Sequence, residues 1–502
     1  MERLFIGGEY VESVGGGEIA VEDPATEEII AVVPDASAED VDRAVHAARE
    51  AQPAWRRTDA LERAELLHRC AERLAAAADE LAVLLTREGG KTLKENRDEV
   101  DWSVTAIRHL AEVARTSRGR VVGATKPDQL NLVLNEPYGV VVHILPFNYP
   151  LVLLAWQVPA ALAAGNTCIV KPAEQTPLAT LKLGEIFSCL PPGVFNVVTA
   201  TGPGSARLVE HPGTDMIAFT GSVQTGSKVM AAAAPRIKKL LLELGGSDPF
   251  LVLADAKLEV AARGAVFAAF LNAGQVCTSA ERFFVEQRVY DDFMAEVLKL
   301  RDEIRIGDPF GEVDMGALVS RDAREQVART LDELAERGAR VLAGGGIPAH
   351  LPKGYFFEPT VVELPEPRRQ APDREIFGPL AMVTPVRDLD EAIELANASE
   401  LGLGASVYTS SLEAAMRAAT ELQAGMVWIN DPLKDNDAAP FGGWKMSGFG
   451  RELGTEGIAA FTQTKHVHID FAQAPSPEWW FPYERPPIPV SRATLPSPGG
   501  PS

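Results

Sequence analysis

A cysteine placed after an apolar run is the first residue of this sequence with the chemistry of a nucleophile. The segment from Leu258 to Leu271 has helical apolar spacing and breaks at Asn272 and Gly274, shortly before Cys277. We therefore predict a loop at Cys277 with free backbone N–H groups, which stabilise an anion formed beside the sulfur. The alternative is an inert cysteine that packs as a small hydrophobic side chain.

A carboxylate upstream of this cysteine stands inside a run that is typical of a buried strand. The run Leu240 to Leu244 contains Glu243 and is closed by Gly245 and Gly246. Burial raises the pKa of a carboxyl group toward the range of a general base. Alternatively, Glu243 faces water on one side of the strand. Together with Cys277, it favours catalysis by a thiol that is assisted by a base.

The composition narrows the class of protein. With 502 residues the chain is long enough for two or three domains, and the formal net charge of −22 opposes binding to nucleic acid or anionic lipid. No window approaches a membrane span of about 18 apolar residues. The N-terminus lacks an export signal, so we expect a cytoplasmic protein.

A zinc site or disulfide scaffold is not expected, because no CxxC pair occurs among Cys70, Cys168, Cys189 and Cys277.

Helices are predicted to dominate the first part of the chain. Short β-like pieces stand at Leu4–Ile6 and Ile29–Val33. The apolar i, i+3, i+4 pattern then predicts helices over Ala38–Ala51, Ala60–Thr86 and Asp98–Ala114.

Strands and helices alternate from Val140 to Leu253, which predicts βαβ units and a parallel sheet covered on both faces. A second α/β series runs from Leu258 to about Gly425, too long for the same sheet. We therefore predict an α/β fold with two α/β domains and a cleft between them.

The C-terminal segment after Ala472 is rich in Pro, Ser and Gly. Beyond Pro486 we expect disorder, because such a composition buries little apolar surface. The aromatic residues Trp479, Trp480 and Phe481 should pack against an apolar surface.

The sequence contains only parts of the motifs that are typical of dinucleotide binding. The fingerprint GxGxxG is missing, and Gly202 with Gly204 offers only its first half. A strand that passes through Gly221 into a helix at Ser222 leaves N–H groups and a hydroxyl where a pyrophosphate could rest. Lys171 and Glu174 follow a strand, at the end where α/β sheets bind ligands. Ordinary turns and solvated loop charges are the alternatives.

In combination these segments resemble the NAD(P)-dependent aldehyde dehydrogenase family, and the resemblance extends from about residue 4 to residue 470. Its motifs occur in the family's order: Pro146 to Pro150 (PFNYP), Lys171 to Pro177 (KPAEQTP), Phe219 to Ser222 (FTGS), Leu242 to Gly246 (LELGG), Gly274 to Cys277 (GQVC), Glu375 to Pro379 (EIFGP) and Pro440 to Gly443 (PFGG).

The resemblance implies a domain organisation. A Rossmann-like NAD-binding domain would comprise residues 1–119 and 138–244, and a catalytic domain residues 245–446. A small β flap, residues 120–137 with 463–473, would join subunits into dimers or tetramers. Residues 474–502 would form a Pro-rich tail outside the resemblance.

The resemblance also implies roles for single residues. Cys277 would be the nucleophile and Glu243 the base, and the Asn148 amide with the Cys277 N–H would form an oxyanion hole. Relatives that transfer the acyl group to coenzyme A lack this glutamate, so hydrolysis is favoured. The residues implied in cofactor binding are Pro146, Phe147, Lys171, Glu174, Gly202, Phe219, Gly221, Ser222, Leu244, Glu375 and Phe377.

Among these, Lys171 and Glu174 would hold the adenosine ribose, Ser222 the pyrophosphate, and Glu375 with Phe377 the nicotinamide riboside. A carboxylate hydrogen-bonds a free ribose 2′-OH and repels a 2′-phosphate. We therefore expect NAD rather than NADP.

The substrate is predicted only by comparison within that family. Trp156 stands where members specific for succinate semialdehyde have arginine, and Thr278 where they often have a second cysteine, which disfavours a carboxylated aldehyde. Aromatic residues Tyr149, Trp156 and Phe441 resemble betaine-aldehyde and aminoaldehyde pockets, because aromatic faces hold ammonium groups.

Acidic residues Glu99 or Asp101 could border the same pocket, but Leu271 stands where many betaine-aldehyde enzymes have tryptophan. A general aliphatic or aromatic aldehyde is therefore an equally possible substrate. The remaining alternatives are a crystallin-like protein without catalysis and another thiol enzyme such as a thioesterase.

Overall fold

The computed structural model describes residues 3–116, 119–372, 374–475 and 479–482, without the side chain of Arg369. By its internal contacts the chain divides into two compact units, Met1–Arg118 with Asn135–Gln463, and Gly119–Leu134 with Thr464–Ser502. Among the described residues, no helix has both the length and the apolar character that crossing a membrane requires.

The N-terminal part contains four strands and four helices. They are β1 (Leu4–Ile6), β2 (Glu9–Val11), β3 (Gly17–Asp23), β4 (Glu28–Asp35), α1 (Ala38–Arg57), α2 (Ala60–Ala76), α3 (Ala78–Gly89) and α4 (Leu93–Thr116). The predicted single helix over Ala60–Thr86 is wrong, because the chain turns at Ala77 (φ −97°, ψ 9°). Alanine gives no breaking signal. The turn lets α2 pack on α5 while α3 packs on α6.

The middle part alternates strands and helices after two further strands. Its elements are β5 (Gly119–Val122), β6 (Gln129–Pro137), β7 (Val140–Ile144), α5 (Pro150–Ala164), β8 (Thr167–Lys171), α6 (Leu178–Ile186), β9 (Phe195–Val197), α7 (Gly202–Glu210), β10 (Met216–Gly221), α8 (Val223–Ala233) and β11 (Lys239–Leu244). Helix α5 is buried on all sides up to Ala163, which fits its apolar sequence.

The last part contains a second alternating series. Its elements are β12 (Asp248–Val252), α9 (Leu258–Phe270), β13 (Ala280–Glu286), α10 (Tyr290–Asp302), α11 (Arg321–Glu336), β14 (Arg340–Ala343), β15 (Thr360–Glu363), α12 (Pro367–Gln370), β16 (Leu380–Val386), α13 (Leu389–Asn397), β17 (Leu401–Gly402), β18 (Ser406–Tyr408), α14 (Leu412–Glu421), β19 (Trp428–Ile429), β20 (Trp444–Lys445), β21 (Gly448–Phe449), α15 (Gly454–Ala460) and β22 (Thr462–Asp470).

Two large sheets confirm the predicted α/β fold. The first has the order β2-β1-β9-β8-β7-β10-β11-β21, and its five central strands are parallel. The second has the order β14-β15-β16-β13-β12-β18-β19 and is parallel except for β14. Strands β7 and β8 are buried along their whole length, as expected for a parallel sheet covered on both faces.

The smaller unit is built on a sheet with the order β22-β6-β5. In it, the Asn131 side-chain oxygen lies 3.1 Å from His466 Nε2 and 2.8 Å from His468 Nδ1. The expected packing of Trp479, Trp480 and Phe481 is wrong, because their exposed fractions are 78%, 60% and 82%. The disorder expected beyond Pro486 concerns residues outside the described part of the chain.

Candidate active site

The loop that carries Cys277 begins with a left-handed turn. Helix α9 ends at Phe270, and the next residues Asn272, Ala273 and Gly274 have φ of 50°, 54° and 73°. Asparagine and glycine tolerate this conformation, whereas it costs alanine about 1 kcal/mol. At Gly274 no side chain would fit, because an added Cβ would lie 2.2 Å from the carbonyl oxygen of Gly378. The predicted break is therefore observed, and Cys277 stands in the turn beyond it.

A buried network holds this loop against the loop of Asn148, which lies between β7 and α5. The Asn148 carbonyl accepts hydrogen bonds from Lys91 Nζ (3.0 Å) and Asn272 Nδ2 (3.3 Å). Lys91 also pairs with Glu99, whose other carboxylate oxygen accepts an N–H bond (2.9 Å) from Leu151 in α5. Because Lys91 and Glu99 are both buried, removing either would leave an uncompensated charge.

Glu243 is buried near the end of β11. Among the described residues, no hydrogen bond of normal geometry reaches its carboxylate oxygens. Burial, and next the neighbouring Glu452 carboxyl, raise its pKa well above the usual range, while Arg451 and, as a minor effect, the Gly443 N–H act in the opposite direction. The carboxylate lies against the backbone at Gly442, where an added Cβ would be 2.8 Å from Glu243 Oε1. The site thus provides an acid that keeps its proton more strongly than an exposed one.

One cavity of about 220 Å³ brings the predicted catalytic residues together. Asn148, Glu243 and Cys277 all line it, although they come from three separate segments of the chain. Burial raises the pKa of the Cys277 thiol well above its usual value, and the nearby carboxylates of Glu375 and Asp435 raise it further. The sulfur therefore needs a proton acceptor to become a thiolate.

Residues predicted to bind a dinucleotide also line this cavity. They are Pro146, Phe147, Gly221, Ser222, Leu244, Glu375 and Phe377. Pairing of the strands explains why they meet, since Ile144 is opposite both Lys171 and Phe219, and Gly221 is opposite Leu244. The carboxyl ends of these parallel strands therefore share one edge of the first sheet, where α/β sheets bind ligands.

The predicted ribose residues stand along the same edge but outside this cavity. Lys171 ends β8, and its pKa is lowered by burial, with Glu174 and Asp35 acting in the opposite direction. Glu174 is half-buried in the following loop. Gly202 begins α7 after β9, so it also follows a strand of the parallel sheet. A cation and a carboxylate are thus available beside the cavity.

Helix α8 begins at the cavity. Ser222 is its N-cap, and the Ser222 side chain accepts a hydrogen bond (3.2 Å) from the Thr225 N–H. The first N–H groups of a helix have no partner within the helix, and the helix dipole favours an anion there. A pyrophosphate placed at Ser222 would meet both conditions.

The second sheet positions Glu375 and Phe377 through a residue that we did not predict. The Glu281 carboxylate in β13 accepts N–H bonds from Ile376 (2.8 Å) and Phe377 (3.0 Å). Phe377 has φ 56° and contacts Phe147 edge-on, with ring centroids 5.6 Å apart. Phe147 lies in the loop that follows β7 of the first sheet. Glu281 could have been predicted from the sequence, because it is a charged residue inside a largely apolar strand. The same feature indicated Glu243.

Only one predicted substrate residue lines the cavity, and it is Phe441. Its ring lies 4.8 Å from that of Trp156, which in turn contacts Trp102 at 5.3 Å. Thr278 is buried beside Cys277, whereas Leu271 lines a different groove. The three rings therefore form a cluster of tilted and edge-on contacts that begins at the cavity.

The aromatic and acidic residues that we expected to bind a cationic substrate have other positions or partners in the structure. The Lys91 ammonium already lies 3.6 Å from the Tyr149 ring centre, and Glu99 is paired with Lys91. Asp101 is exposed on α4. Asp435, which was not predicted, is half-buried and raises the pKa of both Tyr149 and Cys277 by its charge. It stands in a polar loop whose sequence gave no signal.

A second carboxyl group beside Glu243 was also missed. The Glu452 carboxyl is fully buried, burial raises its pKa to about 8, and it accepts a hydrogen bond from Gln157 Nε2 (2.6 Å). Gln157 also donates to Thr220 Oγ1 (2.8 Å), which links Glu452 to the edge of the first sheet. Glu452 follows Arg451 in a Gly-rich segment, and no apolar run marks it as buried.

Known proteins are similar to this chain over nearly its whole length. The model of the Aldehyde dehydrogenase family matches residues 10–467. Betaine aldehyde dehydrogenase of Bacillus subtilis (strain 168) is 37% identical over 477 residues, which cover 93% of this chain and 97% of the relative.

Solved structures give the same result. Betaine aldehyde dehydrogenase of Staphylococcus aureus, solved in complex with NAD+, has a TM-score of 0.93 at 32% identity, covering 96% of each chain. PnpE from Pseudomonas sp. WBC-3 has a TM-score of 0.93 at 37% identity, covering 95% of this chain and 99% of its own. Because family and relatives match over nearly its whole length, the chain belongs to the aldehyde dehydrogenase family.

Proposed function

We propose that this chain oxidises an aldehyde to a carboxylate with NAD as oxidant, through a covalent intermediate on Cys277. The observation that carries the proposal is that a thiol, an amide and a carboxyl group of raised pKa line one cavity. A protein without catalysis would not need to bury Glu243 without hydrogen bonds, because this arrangement is costly. We therefore reject the crystallin-like alternative.

The first step is attack of the Cys277 sulfur on the aldehyde carbon. The thiol gives up its proton to solvent, and the carbonyl oxygen becomes an oxyanion as the carbon–sulfur bond forms. The Asn148 amide and the Cys277 N–H would stabilise that oxyanion, as preorganised donors do. The network of Lys91 and Asn272 on the Asn148 carbonyl supports this role, because it fixes the position of the loop.

NAD, when bound, accepts a hydride from the carbon of that intermediate. The carbon is then held on Cys277 as a thioester. Glu243 takes a proton from water, the resulting hydroxide attacks the thioester carbon, and the carbon–sulfur bond breaks to release the carboxylate. A base with a raised pKa suits proton abstraction near neutral pH. The same group supports hydrolysis over transfer to another thiol.

The residues along the first sheet fit NAD. Ser222 and the start of α8 would hold the pyrophosphate, and Lys171 with Glu174 the adenosine ribose. Glu375 would hold the nicotinamide riboside, because it lines the same cavity as Cys277. Glu174 supports NAD over NADP, because its carboxylate would repel a 2′-phosphate.

We propose a betaine-type or amino aldehyde as the substrate. The names of two relatives support this class, and so do the contact between the Trp156 and Phe441 rings and the carboxylate of Asp435. A general aliphatic or aromatic aldehyde is the second candidate, because the Tyr149 ring already contacts the Lys91 ammonium. The ratio of kcat/KM for betaine aldehyde and for an uncharged aldehyde of equal length separates the two.

We also propose that the chain assembles with copies of itself and resides in the cytoplasm. The resemblance of residues 120–137 and 463–473 to an oligomerisation flap supports the assembly. The four free cysteines support a reducing compartment.

The activity is tested by following NADH absorbance with a panel of aldehydes. The wild type should form NADH, and Cys277→Ala should lose this activity by a factor of about 10³ or more, because the covalent route is removed. Cys189→Ser is the matched control and should keep the wild-type rate, since Cys189 lies outside the cavity. Wild-type turnover in Cys277→Ala would contradict the proposal.

A further inference from the structure

Two thiols that the proposed reaction does not use lie at hydrogen-bond distance from each other. The Sγ atoms of Cys70 and Cys189 are 3.4 Å apart. Cys70 is fully buried in α2, whereas Cys189 is partly exposed in the turn after α6. Neither residue lines the cavity of Cys277. The pair therefore forms a separate dithiol site.

The two thiols are electrostatically unequal. A hydrogen bond from the Cys70 thiol lowers the pKa of Cys189 to about 6, against the effect of burial, and Arg73 lowers it further. Arg73 is held beside Cys189 by hydrogen bonds to Ser188 Oγ (3.1 Å) and to the Glu185 carbonyl (2.7 Å). The same hydrogen bond to Cys189, together with burial, raises the pKa of Cys70 well above its usual value. These effects make Cys189 the more acidic of the two thiols, which favours Cys189 as the nucleophile and Cys70 as the hydrogen-bond donor.

Cys189 is the more exposed of the two cysteines. Ser188, Pro191 and Pro192 next to it are exposed, while Cys70 lies underneath with no exposed surface. A low pKa, an exposed side and a second thiol within reach are the features of a cysteine that oxidises reversibly. A reagent from solvent would therefore meet Cys189 first.

We propose that Cys189 and Cys70 form a reversible disulfide when the protein meets a hydroperoxide. The Cys189 thiolate attacks the peroxide, an S–O bond forms as the O–O bond breaks, and the departing oxygen takes up a proton. Cys70 then attacks the sulfur of this sulfenic acid. An S–S bond forms, the S–O bond breaks, and hydroxide leaves with the Cys70 proton as water. The two thiols lose two electrons and the peroxide gains them.

The geometry requires only a small movement for this step. A disulfide bond is about 2.05 Å long, so the two sulfurs must approach by roughly 1.4 Å. Rotation of the partly exposed Cys189 side chain is the simplest source of such a movement. Since the site is separate from Cys277, its oxidation and the aldehyde reaction can be measured independently.

The test uses the full chain, reduced and then treated with one equivalent of hydrogen peroxide. Free thiols are blocked with iodoacetamide in denaturant, and the tryptic peptides are analysed by mass spectrometry without reduction. We expect Cys70–Arg73 joined to Leu183–Arg207, with a mass lower by two hydrogens than the sum of the two peptides. Dithiothreitol should release both peptides.

Two variants serve as controls. In Cys189→Ser, Cys70 should stay alkylatable after peroxide, because it has no exposed sulfur. In Cys70→Ser, Cys189 should proceed to sulfinic acid because no second thiol intercepts it. The proposal is overturned if wild-type Cys189 becomes sulfinic while Cys70 stays free, or if both stay alkylatable in excess peroxide.

Discussion

At the residue scale, the proposed chemistry depends on two buried carboxyl groups that share one environment. Among the described residues, no hydrogen bond of normal geometry reaches the Glu243 carboxylate, whereas Glu452 accepts a bond from Gln157 that favours its charged form. Two like charges this close do not both ionise readily, so the proton is retained on Glu243 to higher pH. The deacylating base is therefore tuned by a neighbour that need not touch the substrate.

Replacing this neighbour should move the pH profile. Glu452→Gln keeps an oxygen that can accept the Gln157 bond but removes the negative charge, so the pKa of Glu243 should fall. Because the base works in its deprotonated form, the acid limb of the kcat profile should move to lower pH. The measurement is kcat from pH 5 to pH 10, with the rate at the plateau as control. A limb that stays in place or moves up would contradict the coupling.

The elements of the site show why its loops are ordered. The Cys277 loop and the Asn148 loop begin at the ends of α9 and β7, and Asn272 joins them through bonds to the Asn148 carbonyl (3.3 Å) and the Gln275 carbonyl (3.1 Å). Glu95 in α4 accepts the Asn272 N–H (2.9 Å). One amide thus sets the relative position of the nucleophile and the oxyanion donor.

Removing that amide should misplace both loops. We expect Asn272→Gly to lose kcat/KM by about 10- to 100-fold, because displacements near 1 Å have effects of this size. Glycine keeps the left-handed conformation at φ 50°, so backbone strain is not introduced. Asn272→Ala adds that strain and should be less stable than Asn272→Gly by about 1 kcal/mol in urea unfolding. Wild-type kcat/KM in Asn272→Gly would show that the joining bonds are dispensable.

Sequence patterns predicted some elements of the fold correctly and missed others. Strands β7, β8 and β11 were visible as apolar runs, because both faces of a parallel sheet are buried. The turn at Ala77 was not, since alanine favours helix and the turn depends on how α2 and α3 pack on other helices. Exposure of Trp479 and Trp480 was also missed, because an apolar residue in a sequence does not reveal which surface covers it.

At the scale of the whole molecule, the site belongs to both large sheets. Gly221 and Leu244 lie in strands of the first sheet, and Ser222 follows Gly221 directly. The segment with Glu375 and Phe377 is held by hydrogen bonds to Glu281 of the second sheet. A cofactor bound in this cavity would contact residues positioned by both large sheets. Its binding free energy should therefore stabilise the folded chain as a whole.

Cofactor binding should be visible in thermal unfolding. At about 100 times its Kd, NAD should stabilise the chain by about 2.7 kcal/mol and raise Tm accordingly. NADP at the same concentration should raise Tm less, because Glu174 repels its 2′-phosphate. Glu174→Gln is the control and should bring the two cofactors closer together. Equal shifts in the wild type would contradict the assignment of Glu174.

Much of the candidate site could be predicted, but not the groups that surround it. Cys277, Glu243 and Asn148 stand in recognisable motifs, and the structure brings them to one cavity. Glu452 and Asp435 stand in polar segments, where a buried carboxyl group looks like an exposed one. The contact between the Lys91 ammonium and the Tyr149 ring joins residues that are far apart in the sequence. A local sequence pattern does not predict such a contact.

The central claim is that Glu243 activates the water that releases the acyl group from Cys277. Rapid mixing of Glu243→Gln with aldehyde and NAD tests it most directly. Acylation does not need that water, so we predict a burst of one NADH per subunit followed by turnover at least about 100-fold slower than wild type. A variant that turns over at the wild-type rate with no burst would contradict the account.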